Sequence, residues 1–250
     1  MKRNNFDTLS KDYDSARRGY PLILFQYLKK IISDKNYQIL DIGCGTGIST
    51  RQLKRYGFKA VGSDKGVEMI RIAKKRNDGI SYIVAPANNL PFQNGQFDII
   101  TAFTAFHWFD DFKSVNEMKR VLKNEGIFIA VQKTLTKSKD KRVEKLQRGQ
   151  RRVMDKYFGA KSDAAKNHDA AAVLRKNGFV RITRRSFYFR EKYTLSQAMV
   201  RLKSMSNWNM LSDIQREKYY QDMYEFYKKN LIDRYVIRDC VAKMVVAYLP

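Results

Sequence analysis

Over the first 130 residues of the 250-residue chain, short apolar runs alternate with stretches in which apolar positions recur every three to four residues. The runs are Tyr37–Ile42, Lys59–Ser63, Ile80–Val84, Phe97–Ala102 and Ile127–Val131. Tyr37–Ile42, a short apolar run ending at Gly43, predicts a buried parallel strand, and the other four read as strands. Between them Thr46–Tyr56, Gly66–Arg76 and Val115–Leu122 have helical spacing. Strands alternating with helices at this pace predict a doubly wound α/β sheet. Ahead of it, Phe6–Arg18 and Leu22–Ile32 read as two helices, with Pro21 at the first position of the second.

The pattern changes after residue 131. From Lys133 to Arg152 the chain carries nine basic residues against Asp140 and Glu144, and Val143, Leu146, Val153, Met154 and Tyr157 form an apolar stripe. This predicts an amphipathic helix with a basic outer face. Ala170–Lys176 is a short helix stopped by Asn177-Gly178, and Phe179–Tyr193 alternates as a strand with one polar face. Leu195–Ser206 and Asp213–Lys229 are helical, and Val241–Tyr248 is a last strand. No Pro/Gly/Ser-rich linker or repeat divides the chain, so one domain is expected.

Charge adds a constraint. The 49 Lys plus Arg exceed 25 Asp plus Glu, a formal net charge of +24. Residues 1–130 hold 21 bases and 13 acids, residues 131–250 hold 28 and 12. Such an excess suits an anionic partner, whether nucleic acid, a membrane surface or an acidic small molecule, and equally a solvated exterior. A hydrophobic fraction of 44% excludes a disordered chain. A mean hydropathy of −0.54, with no long apolar run, argues against a membrane span. The two cysteines, Cys44 and Cys240, have no ligand-like spacing. With no apolar stretch behind the basic N-terminus, they point to a reducing, cytoplasmic location and to no metal centre.

The chemistry concentrates at Leu40-Asp41-Ile42-Gly43-Cys44-Gly45-Thr46-Gly47, a glycine-rich turn leaving a strand and opening a helix. Its spacing is G-x-G-x-G, and residue 48 is Ile where a dinucleotide fingerprint has its third Gly. Asp41 would repel a diphosphate and suits a cationic ligand. Asp64 ends the next strand, where an acid can hold both hydroxyls of a ribose. A nucleoside without phosphates that carries an ammonium and a sulfonium is S-adenosylmethionine.

These residues resemble motif I of the class I S-adenosylmethionine-dependent methyltransferases. Val61-Gly62-Ser63-Asp64 with Glu68-Met69-Ile70, Asn89-Leu90-Pro91-Phe92 before Phe97-Asp98-Ile99-Ile100, and Arg120–Gly126 are similar to its later motifs, in order, over residues 10–131. Tyr13–Pro21 and Ala105-Phe106-His107-Trp108-Phe109 resemble a small-molecule subgroup similar to trans-aconitate methyltransferase. The resemblance implies a Rossmann-like, seven-stranded sheet, mostly parallel with the last strand antiparallel. N-terminal helices (1–35) would precede a cofactor-binding core (36–132). A substrate side (133–250) would follow, its helical cap at about 194–238 inserted between strands six and seven.

The same resemblance implies the site. Asp41, Gly43 and Gly45 would line the methionine part of S-adenosylmethionine. Asp64 would hold the ribose with Lys65 beside it, and Ala87 and Asn88 would meet the adenine. Thr104 would lie against the cofactor, and Tyr13 and Arg17 would close over it, Arg17 reaching the carboxylate. His107 is the candidate base, with His107, Trp108 and Arg201 toward the acceptor. Pro86 stands where many relatives have an adenine-reading acid, and Arg18 replaces a usual Pro. His168 is read as a surface-loop residue. Met199, Met205 and Trp208 read as cap core, and Cys44 as packing. The expected function is methyl transfer to a small, acidic acceptor, leaving S-adenosylhomocysteine. The alternatives are a nucleic-acid methyltransferase and a non-catalytic S-adenosylmethionine-binding protein. Monomer and dimer are both open.

Overall fold

Seven strands join in one sheet in the computed structural model of the chain, which describes residues 17–32, 36–159, 168–205 and 207–250. In chain order the elements are α1 (Leu22–Ile31), β1 (Gln38–Ile42), α2 (Ile48–Arg55), β2 (Lys59–Asp64), α3 (Val67–Lys75) and β3 (Tyr82–Val84). Then come β4 (Phe97–Phe103), a 3₁₀ turn (Phe106–Trp108), α4 (Phe112–Val121), β5 (Leu122–Leu135), α5 (Lys141–Phe158) and α6 (Ala170–Lys176). The chain continues through β6 (Val180–Tyr193), α7 (Leu195–Lys203), a 3₁₀ turn (Trp208–Met210), α8 (Asp213–Lys229) and β7 (Val236–Tyr248).

The strand order is β3-β2-β1-β4-β5-β7-β6. Strands β1 to β5 pair in parallel, and β7 runs against β5 through Thr136 N on Asp239 O and Leu249 N on Gly126 O. The uniform apolar runs follow from this: Ile39, Leu40 and Ile42 are buried in a strand covered on both faces. Because β1 lies between β2 and β4, the strand order reverses there. In an open α/β sheet that reversal opens a crevice beyond the carboxyl ends of the strands.

Contacts group the residues into two compact units. The sheet unit comprises 19–133, 165–187 and 242–250. Its core joins Leu40, Ile42, Ile100, Phe106, Phe128 and Phe179. The helical unit comprises 1–18, 134–164 and 188–241. There Val143 and Leu146 of α5 share a core with Met199 and Leu202 of α7 and Tyr219 and Met223 of α8. Thus α5 packs with the two helices expected as a cap. Capping boxes start both of those helices, Thr194 with Gln197 and Ser212 with Gln215.

Several boundaries differ from expectation for local reasons. Strand β7 begins at Val236, because Arg238 and Asp239 break the apolar run that marks a strand in sequence. Strand β5 begins at Leu122, where Lys123 reaches Asp98 Oδ1 at 2.6 Å from what reads as a turn. Helix α4 starts at Phe112, because the Asp111 side chain caps Ser114 N. Pro21 is the N-cap of α1, with ψ 145°, not its first helical residue. Lys133–Leu135 belong to β5, so the basic helix starts at Lys141. The helix expected at Phe6–Arg18 falls almost wholly outside the described residues, as does Tyr13.

Candidate functional site

The turn after β1 is organised from beneath by Asp41. Its carboxylate is fully buried and accepts hydrogen bonds from Ser49 Oγ (2.7 Å), Thr50 Oγ1 (2.7 Å) and Thr101 Oγ1 (2.9 Å). Those three hydroxyls tie β1 to the first turn of α2 and to β4. Burial pushes the Asp41 pKa up to about 6, against the hydroxyls that pull it down. Expected against a ligand, Asp41 is instead inside the protein, because Ser49 and Thr50 bring donors under it.

Above Asp41 the turn has one open position. Gly43 and Gly45 both have positive φ, 67° and 56°. A Cβ on Gly43 would lie 2.7 Å from Ala105 Cβ and 2.9 Å from Phe109 Cε1, so that glycine serves packing. A Cβ on Gly45 would meet nothing within 4 Å. The Gly45 N–H donates to Asp64 Oδ2 at 2.9 Å, and Gly66 N donates to Asp64 Oδ1 at 2.8 Å. Asp64 is thereby pinned beside the open glycine at the carboxyl end of β2. Ala85 N donates to Asp64 O at 2.9 Å, which brings the loop after β3 alongside. In that loop Asn89 N bonds Pro86 O, Ala87 is half-buried, and Asn88 and Lys65 are exposed. Cys44 is buried among Ile70, Ala73 and Tyr82, and burial raises its thiol pKa, so it is packing rather than a nucleophile.

The carboxyl end of β4 carries the second feature. Thr104, a β-branched residue, has φ 53°. That conformation is costly for such a residue and persists only where its surroundings enforce it. Here its N donates to Val131 O, Lys133 N donates to its Oγ1 at 3.2 Å, and Tyr20 Oη shares a 2.7 Å hydrogen bond with that same Oγ1. Tyr20 is strapped in turn. Gln52 Oε1 accepts from Tyr20 N, and Gln52 Nε2 donates to Tyr20 O, at 2.8 and 3.0 Å. The Lys133 ammonium lies 5.2 Å from the Tyr20 ring centre and donates to Gly19 O. Tyr20, Gln52 and Lys133 were not singled out as site residues from sequence. The signal was a polar residue on the inner side of α2, which periodicity treats as noise.

Beyond Thr104, His107 sits in the 3₁₀ turn with its Nδ1 buried and without a hydrogen-bond partner among the described residues. Burial and the nearby His168 lower its pKa, so it is neutral at pH 7. Trp108 beside it is half exposed, with ring centres 5.1 Å apart. His168, expected on a surface loop, instead packs edge-on against Phe106, its Nε2 3.1 Å from Asp110 Oδ2. Asp41, Gly43, Gly45, Asp64, Lys65, Ala87, Asn88, Thr104, His107 and Trp108 all belong to the sheet unit. Arg17 and Arg201 belong to the helical unit, where Arg17 Nη2 donates to Ser204 O at 3.0 Å. No group of His, Cys, Asp and Glu among the described residues is arranged to hold a metal, and none of their helices is long and apolar enough to cross a membrane.

Residues 40–130 match a family described as the methyltransferase domain. A demethylmenaquinone methyltransferase of Thermotoga maritima is 33% identical over 51% of this chain and 59% of its own length. An uncharacterised methyltransferase of Schizosaccharomyces pombe, C25B8.09, is 25% identical over 91% of this chain and 89% of its own. For several other curated relatives the match spans about half of the relative's length. The solved structure of the YcgJ protein from Bacillus subtilis overlays on 90% of this chain and 97% of its own, with a TM-score of 0.55 and 20% identity. Residues 40–130 are thus similar in sequence to the methyltransferase domain, and the chain around them has the Rossmann-like fold of methyltransferase structures.

Proposed function

We propose that the chain is an S-adenosylmethionine-dependent methyltransferase acting on a small, acidic acceptor. One observation carries this reading: an open, left-handed Gly45 beside a carboxylate, Asp64, that two backbone N–H groups hold in place. A side chain at 45 would occupy that space, and a carboxylate oxygen accepts two donors, so the pair fits a ligand with a vicinal diol. The fit suits S-adenosylmethionine better than a dinucleotide, since residue 48 is not the third glycine of a pyrophosphate turn.

In this reading Asp64 takes the ribose hydroxyls, Gly45 admits the methionine part, and the Pro86–Asn89 turn meets the adenine through backbone groups, Ala87 and Asn88. Asp41 acts on the ligand only through the turn it holds. Tyr20 and the strained Thr104 form the wall beyond β4. Bound there, the cofactor would supply a methyl group from its sulfonium, which the acceptor would attack in line as S-adenosylhomocysteine leaves. Held in that alignment, the reaction asks little acid–base chemistry of side chains. A carboxylate acceptor needs no base. For a hydroxyl or amine, neutral His107 can take the proton, with Trp108 beside it. The narrower likeness to trans-aconitate-type enzymes rests on Ala105–Phe109 and on the segment around Tyr13.

Three cations of α5 are partly neutralised, which weakens the case for a nucleic-acid substrate along this helix. Arg148 pairs with Glu144, Arg151 with Asp155 and Lys156 with Asp222. The test is calorimetric titration of the full chain with S-adenosylmethionine and S-adenosylhomocysteine. Saturable binding is expected, and Asp64→Ala should weaken it about 10- to 100-fold by removing charge-assisted hydrogen bonds. Absence of binding by the native chain, or native affinity in the variant, would overturn the assignment.

A further inference from the structure

Among the described residues of the helical unit, Arg238 and Glu191 are buried charges, and the half-buried Arg201 adds a second cation to their surroundings. Arg238, on β7, is 8% exposed, and its Nε and Nη1 have no hydrogen-bond partner among the described residues. The carboxylate nearest it is Glu191 Oε2, 3.5 Å from Arg238 Nη1. Glu191 is itself buried and also accepts from Tyr193 Oη at 3.1 Å. The half-buried Arg201 guanidinium stands 6.0 Å from the centre of that same Tyr193 ring, and its Nη1 reaches only the weak acceptor Met205 Sδ at 3.9 Å. Burial, together with the positive charges of Arg238 and Arg17, pushes the Arg201 pKa down to about 10. Tyr219, close enough to feel the Arg201 charge, is 1% exposed, and its hydroxyl has no hydrogen-bond partner among the described residues.

Two guanidinium groups therefore face one carboxylate among the described residues, Glu191, whose charge acts on both. A buried cation without a matching anion is strongly destabilising, and proteins remove that cost by pairing the charge. Arginine's planar fork is shaped for a two-oxygen anion, and a tyrosine hydroxyl adds one more donor.

We propose that the helical unit binds a small oxyanion, a carboxylate or phosphate group, between Arg238 and Arg201, with Tyr219 Oη donating to it. Its identification as part of the methyl acceptor rests on the function proposed above, whereas its binding does not. The site is carried by strand, helix and helix from three separate stretches of sequence, so no local motif announces it.

The experiment is scanning calorimetry of the full chain with increasing inorganic phosphate or succinate, against chloride at matched ionic strength and with no S-adenosylmethionine present. A saturable rise in melting temperature is expected for one or both anions. Phosphate alone identifies a phosphate ester as the ligand class, and succinate alone a carboxylate. Arg238→Met should raise the half-saturating concentration at least tenfold. If that variant does not fold, Arg201→Lys, which keeps the charge and loses the fork, and Tyr219→Phe should each raise it several-fold. A shift no larger than that in chloride, or the same half-saturation in the folded variants, would overturn the proposal. Titration of the same preparations with S-adenosylhomocysteine keeps the two readings apart. Anion binding can fail while cofactor binding stands, and the reverse.

Discussion

Replacing Gly45 or Gly43 by alanine separates a glycine that admits a ligand from one that admits the protein's own side chains. Both have positive φ, so both alanines carry the cost of the left-handed region, about 1–2 kcal/mol. Loss of unfolded-chain freedom offsets about 0.4–1 kcal/mol of that. For Gly45→Ala nothing else is added, since its Cβ meets no atom within 4 Å. The net cost is about 1 kcal/mol, a melting temperature lower by about 2–4 °C. For Gly43→Ala the new Cβ would stand 2.7 Å from Ala105 Cβ and 2.9 Å from Phe109, and overpacking adds about 1–3 kcal/mol. That variant should lose several times as much stability. Binding should run the other way. The methyl at 45 occupies ligand space, and an overpacking cost of the same size weakens S-adenosylhomocysteine about 10- to 100-fold. Urea unfolding and calorimetric titration read the two effects. A Gly45→Ala protein that binds as tightly as the native chain would refute the reasoning, as would one destabilised as much as Gly43→Ala.

Two further outcomes follow from the same geometry. Asp41 has a folded pKa of about 6 against 3.8 in the unfolded chain, so between those values the folded protein holds a proton that the unfolded chain has released. Its contribution to stability therefore falls as pH rises from about 4 to 6, by about 3 kcal/mol in all. The difference in unfolding free energy between the native chain and Asp41→Asn, measured from pH 4 to 7, should change across that window, and a constant difference would contradict the burial argument. Tyr20→Phe removes the hydroxyl shared with Thr104 Oγ1 and should cost about 1 kcal/mol by urea unfolding. A change within error would mean the strap does not hold Thr104.

The central sheet was legible because its strands are covered on both faces. Ile39, Leu40, Ile99 and Ile100 leave continuous apolar runs that no exposed strand would show. Gly43, Gly45 and Asp64 stood out by residue type and close spacing, and the structure gives both glycines positive φ and joins Gly45 N to Asp64, though at Gly43 the reason is packing against Ala105 and Phe109. What escaped was set by contacts between distant residues. Nothing in sequence marks Gln52 as the partner of Tyr20, 32 residues away, or Glu191 as the carboxylate facing Arg238. Asp41 was read by its charge alone. The three hydroxyls that turn it into an interior anchor come from α2 and β4, and only folding brings them to it. The start of β7 was hidden for a related reason: Arg238 and Asp239 look like loop residues until the buried Glu191 and the Arg190 side chain are seen against them.

The most direct measurement is a crystal structure of the chain grown with S-adenosylhomocysteine. The ribose hydroxyls should lie within about 3 Å of the Asp64 carboxylate, the homocysteine chain should pass over Gly45, and the sulfur should face the side of the site that carries Thr104 and His107. Density for the ligand elsewhere, or none at millimolar concentration with the Gly45–Asp64 hydrogen bond undisturbed, would contradict it.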